Sequence, residues 1–158
     1  MSVISKLPPL KIGDLYVRVP IIQGGMGVGI SLSNLASAVA NEGGIGVIAT
    51  AGIGMLEPDF NQNFREANKR ALKSEIRKAR QKTTGVIGVN IMMALSDFDE
   101  LAIAAVEEGV DVIFLGGGSA SQKSRSPSSA GKFEKSRYQS GADCFLRPRR
   151  RNHISVLG

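Results

Sequence analysis

The sequence predicts an α/β fold built on a parallel sheet. Two observations carry that prediction. Apolar strand-like runs and helical periods alternate as βαβαβαβ between residues 19 and 116, an order that implies parallel strands joined by right-handed crossovers. The strands are continuous Val- and Ile-rich runs without polar alternation, as burial on both faces requires.

The elements follow in order. "VPIIQGG", residues 19–25, is a short apolar run ending in glycines and is the first expected strand. "SLSNLASAVANEGG" places Leu32, Leu35, Ala36, Val39 and Ala40 at helical spacing, with Ser31 or Ser33 as the expected N-cap and Gly43 as the terminator. "IGVIAT" is the second strand, and "AGIGMLEPDFNQN" is a loop punctuated by glycine and proline. "FREANKRALKSEIRKARQK" is a charged helix whose thin apolar stripe (Phe64, Ala67, Ala71, Ile76, Ala79) assigns it to the surface. "GVIGVNIMM" is the third strand, and "FDELAIAAVEEG" a helix with Leu101, Ala102, Ala105 and Val106 inward. "VDVIFLGG" is the fourth strand. An open doubly wound sheet and part of a (β/α)₈ barrel both fit this order. Both put function on the segments after the strands: 23–29, 50–54, 90–93 and 116–118.

The chain has 158 residues and a net charge of +6, but that charge is not evenly spread. Residues 1–116 hold 11 Lys and Arg against 12 Asp and Glu, while residues 117–158 hold nine against two. The sequence therefore divides into a near-neutral unit, 1–116, and a basic tail, 117–158, that is polar and aperiodic and is expected to be disordered. The basic helix (Lys69, Arg70, Lys73, Arg77, Lys78, Arg80) is interleaved with Glu66 and Glu75 and reads as a solvated face, not a nucleic-acid site. One cysteine, Cys144, excludes a disulfide framework and a multi-cysteine metal site. No apolar run is long enough to span a bilayer, and no signal peptide opens the chain, so a cytoplasmic protein is expected.

The richest candidate site follows the first strand. "QGGMGVGIS" lacks the spacing of a dinucleotide fingerprint, since Leu32 stands where a third glycine belongs. Gly24, Gly25, Gly27 and Gly29 instead suit a loop whose N–H groups approach a flat polar ligand; a tight turn needing glycine dihedrals is the structural alternative. Asn90 lies in an apolar strand, where an unpaired amide costs roughly 1–3 kcal/mol, and its place near the strand end favours a ligand. Met26, Met92 and Met93 sit at the same end, as adaptable filler or packing for an aromatic ring. His153, the only histidine, has no acid or nucleophile near it in sequence, and no catalytic residue is assigned.

"LKIGDLYVRVPIIQGGMGVGISLSNLASAVANEGGIGVIAT", followed by "VIGVNIMMAL" and "EEGVDVIFLG", closely resembles the N-terminal part of nitronate monooxygenases. The resemblance covers residues 7 to 116. It implies the N-terminal half of an FMN-binding (β/α)₈ TIM barrel with four parallel strands. It also implies flavin contacts at Gly24, Gly25, Met26 and Asn90, with Gln23 weaker. The implied reaction oxidises an alkyl nitronate with O₂ through FMN, without a metal. A flavin-dependent enoyl-ACP reductase of the same superfamily is the alternative enzyme. A basic-tailed nucleic-acid-binding protein is the alternative of another class. Expected partners are a small-molecule nitronate and O₂, with a homo-oligomer compatible and no membrane.

After Leu115 the resemblance stops. Gly117 to Ser124, "GGSASQKS", can be written as the codons GGC-GGG-TCT-GCC-TCT-CAA-AAA-TCC. One base later, with a C following, they read Ala-Gly-Leu-Pro-Leu-Lys-Asn-Pro, like the family's continuation. The jump in charge falls at the same point. The expectation is a tail translated out of frame, in a chain that binds FMN weakly or not at all and lacks turnover. Sequencing the locus across the codons for Leu115 to Arg125 tests it, and an intact frame there defeats it.

Overall fold

A computed structural model describes residues 7–116 and, within the tail, the backbone of two strands at 134–137 and 143–146. The chain opens with a hairpin absent from the expectations above. β1 (Leu10–Ile12) pairs antiparallel with β2 (Leu15–Val17), Ile12 opposite Leu15. Gly13, at φ +53, and Asp14 form the two-residue turn, the glycine-first order such turns favour. Ile12, Leu15 and Val17 point inward and Tyr16 outward. The cue was present as Leu10-Lys11-Ile12 and Leu15-Tyr16-Val17, each apolar–polar–apolar.

The parallel sheet has three strands, not four: β3 (Ile45–Ala49), β4 (Val86–Met92) and β5 (Val112–Gly116). The first expected strand contributes only a parallel bridge between Ile22 and Ile45. Ile45 N–H donates to Ile21 O at 2.9 Å, and Gln23 N–H donates to Ile45 O at 3.0 Å. Pro20 has no N–H to offer before the bridge, and the main chain leaves the ladder at Gly24 after it. The arrangement is that of part of a TIM barrel. Beyond β5 the sheet continues antiparallel through β7 (Asp143–Leu146) and β6 (Glu134–Arg137), in the order β3-β4-β5-β7-β6. The expectation of a disordered tail otherwise falls outside the described residues.

Among the described residues three helices join the strands: α1 (Ser33–Asn41), α2 (Phe60–Lys82, irregular at Asn63) and α3 (Phe98–Glu107). They cover one face of the sheet. Ala36, Ala40, Leu72, Ile76, Leu101 and Ala105 pack there on Ile48, Ile87, Val89, Ile91, Ile113 and Leu115. The other face holds Ile45, Val47 and Val112, with Val86 and Phe114 partly buried, and the hairpin covers its lower part through Ile12, Leu15 and Val17. Both faces are thus apolar, which is why the strands show no polar alternation. No helix among the described residues is long and apolar enough to cross a membrane.

The helix ends show local and distant coding side by side. α1 and α3 both stop on a glycine with positive φ, Gly43 at +92 and Gly109 at +75. Gly43 N–H donates to Ala40 O and Gly44 N–H to Val39 O; Gly109 and Val110 repeat the pattern with Val106 O and Ala105 O. These are Schellman ends. The N-terminus of α1 corrects the expected serine cap. Leu32 occupies the cap position without a side-chain bond, and Ser33 N–H donates to Glu75 Oε2 of α2 at 2.9 Å. Burial pushes the Glu75 carboxyl up, but hydrogen bonds from Lys78 and Ser33 outweigh it and hold it below the usual glutamate value.

Candidate functional site

The loop after the Ile22 bridge is built around two side chains. Gln23 reaches along β3, its Oε1 accepting from Val47 N–H at 3.2 Å and its Nε2 donating to Val47 O at 3.0 Å. Gln23 Nε2 also lies 3.1 Å from Ser31 Oγ. Ser31 is buried, and its hydroxyl donates to Gly24 O at 3.2 Å and accepts from Met26 N–H at 3.0 Å. Ser31 N–H returns to Met26 O, and Ala49 N–H donates to Ser31 O. The segment is therefore tied to the end of β3 at both of its ends. The serine anticipated as a helix cap organises this loop instead.

The structure brings two of the sequence-selected residues, Gly25 and Asn90, together. A Cβ added to Gly25 would lie 2.6 Å from Asn90 Cβ and 3.1 Å from Asn90 Oδ1, so the loop's main chain rests on the Asn90 side chain. Only a residue without a Cβ permits that approach. Gly27 is equally close to Ala51, where a Cβ would meet the carbonyl oxygen at 2.7 Å. Asn90 O accepts from Thr50 N–H and from Thr50 Oγ1, each at 3.1 Å. Asn90 Nδ2 makes a long contact of 3.4 Å to Phe114 O, while Oδ1 has no donor among the described residues. Thr50, buried and the first residue of the expected segment 50–54, thus fixes the β4 main chain at Asn90.

The donors divide unequally. Met26 N–H is engaged by Ser31, so Met26 offers the site its side chain, which is 62% exposed. The N–H groups of Gly24 and Gly25 have no acceptor among the described residues. Of the three methionines singled out in the sequence, Met26 and Met92 are exposed and Met93 is buried, its N–H bonded to Gly116 O. Met26, Val28 and Met55 are exposed, and Val28 and Met55 both lie against Gly52.

Along α2 the charges are largely occupied with acids. Seven of the eight α2 cations have a carboxylate partner: Arg65 with Glu100, Lys69 with Glu66, Arg70 with Glu57 and Asp59, Lys73 with Glu107, Arg77 with Glu108, Lys78 with Glu75, and Arg80 with Asp111; the eighth, Lys82, donates to Asn34 Oδ1. The Arg70 hydrogen bond holds the Asp59 carboxyl below its usual value. The sequence had shown the interleaved Glu66 and Glu75 but not the acids supplied by α3 and the loops. A buried bridge also escaped notice. Asn68 Oδ1 accepts from Gly54 N–H at 2.9 Å, and its Nδ2 donates to Asp97 Oδ2 at 2.8 Å, joining the loop after β3 to α2 and α3. No cluster of metal-ligating side chains occurs among the described residues. His153 and the side chain of Cys144 lie outside them.

Comparison with known proteins adds three findings. A family model described as nitronate monooxygenase matches residues 9–113. No curated protein matches the chain. Among solved structures, FabK from Thermotoga maritima is similar at TM-score 0.51 and 33% identity, over 69% of this chain and 30% of its own. A point mutant of that protein gives 0.51 and 33%, over 67% and 31%. The chain therefore spans under a third of the length of these structures.

Proposed function

The chain belongs to the nitronate monooxygenase family, and we propose on that premise that residues 7–116 form one wall of the FMN site of a cytoplasmic oxidoreductase acting on alkyl nitronates and O₂. The observation that carries the proposal is the contact of Gly25 with Asn90. It sets Gly25, whose N–H like that of the preceding Gly24 has no acceptor among the described residues, against a carboxamide whose Oδ1 also lacks a partner among them. A flat heterocycle with alternating carbonyl and imide groups suits such a wall, and apolar Met26 and Met92 suit its ring faces. When bound, the flavin supplies an electron acceptor for the nitronate that O₂ can restore.

The chain's own part is to bind and orient. Donors already held in place stabilise charge developing on a ligand without reorganising at the moment of reaction. Gly24 and Gly25 supply main-chain donors, and Asn90 supplies both a donor and an acceptor. One wall alone confers weak affinity. FMN added to the ¹⁵N-labelled chain should shift the amides of Gly24, Gly25 and Gly116 and the Asn90 side chain in fast exchange. Gly25→Ala, which forces the loop off Asn90, should abolish those shifts. Perturbation of another region, or none at the solubility limit of FMN, would refute the proposal.

The similarity to FabK, a flavin-dependent enoyl-ACP reductase, favours a second reading at the same site. That enzyme would consume NADH, so NADH oxidation against nitronate-dependent O₂ uptake by the protein expressed from the locus separates the two. The division at residue 116 and the out-of-frame origin of residues 117–158 belong to the same proposal, and the sequencing test above decides them.

A further inference from the structure

We propose that Gln23 and Ser31 are positioning residues: the Gln23 carboxamide replaces a rung of the parallel ladder beside Val47, releasing the Gly25 N–H, and Ser31 secures the loop so formed. The inference rests on the flavin-wall reading of Gly24, Gly25 and Asn90.

The ladder itself shows the replacement. Ile45 N–H donates to Ile21 O, and Gln23 N–H donates to Ile45 O. In a parallel pair the next two bonds would run from Val47 N–H to Gln23 O and from Gly25 N–H to Val47 O. Neither is made. Val47 N–H donates instead to Gln23 Oε1, and Val47 O accepts from Gln23 Nε2. The side-chain amide has the donor and acceptor of a peptide group, so both Val47 groups remain satisfied inside the protein, as buried main chain requires. The Gly25 N–H, which a regular strand would have consumed, is left for something else.

Ser31 completes the exit. Once the main chain leaves the sheet, Gly24 O and Met26 N–H need partners, and the Ser31 hydroxyl serves both. It also holds Gln23 Nε2. What remains without an acceptor among the described residues is the adjacent pair of N–H groups of Gly24 and Gly25, held where Gly25 touches Asn90. Had Gly25 continued the strand, its N–H would face Val47 and no donor would be offered at that point.

The test is amide hydrogen exchange on the full chain without FMN, followed by the FMN titration. Gln23→Met keeps the side-chain length but can neither donate to nor accept from Val47. Either Val47 N–H should then exchange about tenfold faster, or the strand should extend and Gly25 N–H become protected about tenfold, the equivalent of one lost or gained hydrogen bond. The FMN shifts at Gly24 and Gly25 should disappear. If Gln23→Met does not fold, Ser31→Ala carries the test through Met26 N–H, expected to exchange about tenfold faster and to recover in Ser31→Thr. Unchanged exchange at Val47, Gly25 and Met26 would overturn the inference. A wild-type chain whose Gly25 ignores FMN would overturn the flavin reading instead, with the exchange data still deciding the ladder replacement.

Discussion

Gly46→Ala measures how tightly α1 lies on β3. Gly46 faces the helix layer, and a Cβ there would lie 1.8 Å from Ala36 O, 2.5 Å from Ala36 C and 2.8 Å from Ala36 Cα. These are main-chain atoms of α1, so no side-chain rotation relieves the overlap. Reaching even a 3.0 Å separation from the carbonyl oxygen lifts the helix by roughly 1.2 Å, enough to forfeit about half or more of the dispersion energy at that contact. Overpacking typically costs about 1–3 kcal/mol, and a main-chain obstacle puts this case near ~3 kcal/mol. With a urea m-value of about 2 kcal/mol/M, the denaturation midpoint should fall by ~1.5 M. Gly24→Ala is the control, because a Cβ there meets nothing within 4 Å; its midpoint should move by less than ~0.25 M, the equivalent of about 0.5 kcal/mol. A Gly46→Ala midpoint within about 0.5 M of wild type would refute the close helix–strand packing.

Glu75→Gln keeps an acceptor for Ser33 N–H but loses the charge, so at pH 7 it should cost under about 1 kcal/mol. Because the folded Glu75 carboxyl is lowered, its contribution is complete above the unfolded value of about 4.3 and is lost as pH falls through the folded value. The difference between wild type and Glu75→Gln should therefore vanish on acidification in urea melts; a difference that persists in acid would contradict the assignment. Asn68→Ala strands Gly54 N–H and the buried Asp97 carboxylate together, and should cost about 3 kcal/mol. Asp97→Ala should be less damaging in the Asn68→Ala background than in wild type, and strict additivity would argue against the bridge.

Much of the site was legible because its residues break local rules. Asn90 is an amide in an apolar strand, and four glycines crowd one strand end; both irregularities show without knowledge of the fold. Gly25 and Asn90 do meet. The supporting residues followed no such signal. Gln23 is an ordinary polar residue after an apolar run, and its ladder role depends on Val47, 24 residues away. Ser31 sits where a helix cap is expected, and the loop claims its hydroxyl first. The actual contact to the α1 N-terminus comes from Glu75, 42 residues beyond Ser33.

Sequence by itself determined the alternation of helix and strand from α1 to β5, the glycine stop of α1 at Gly43 and the apolar character of both sheet faces. These depend on periodicity and backbone preference within a few residues. Tertiary structure alone decided that the first apolar run would pair through one bridge, that the hairpin would cover the lower sheet face, and which cations of α2 would meet which acids. A hydrogen bond or ion pair between distant segments is chosen by which groups the packed chain brings within about 3 Å, and no spacing along the sequence records that distance.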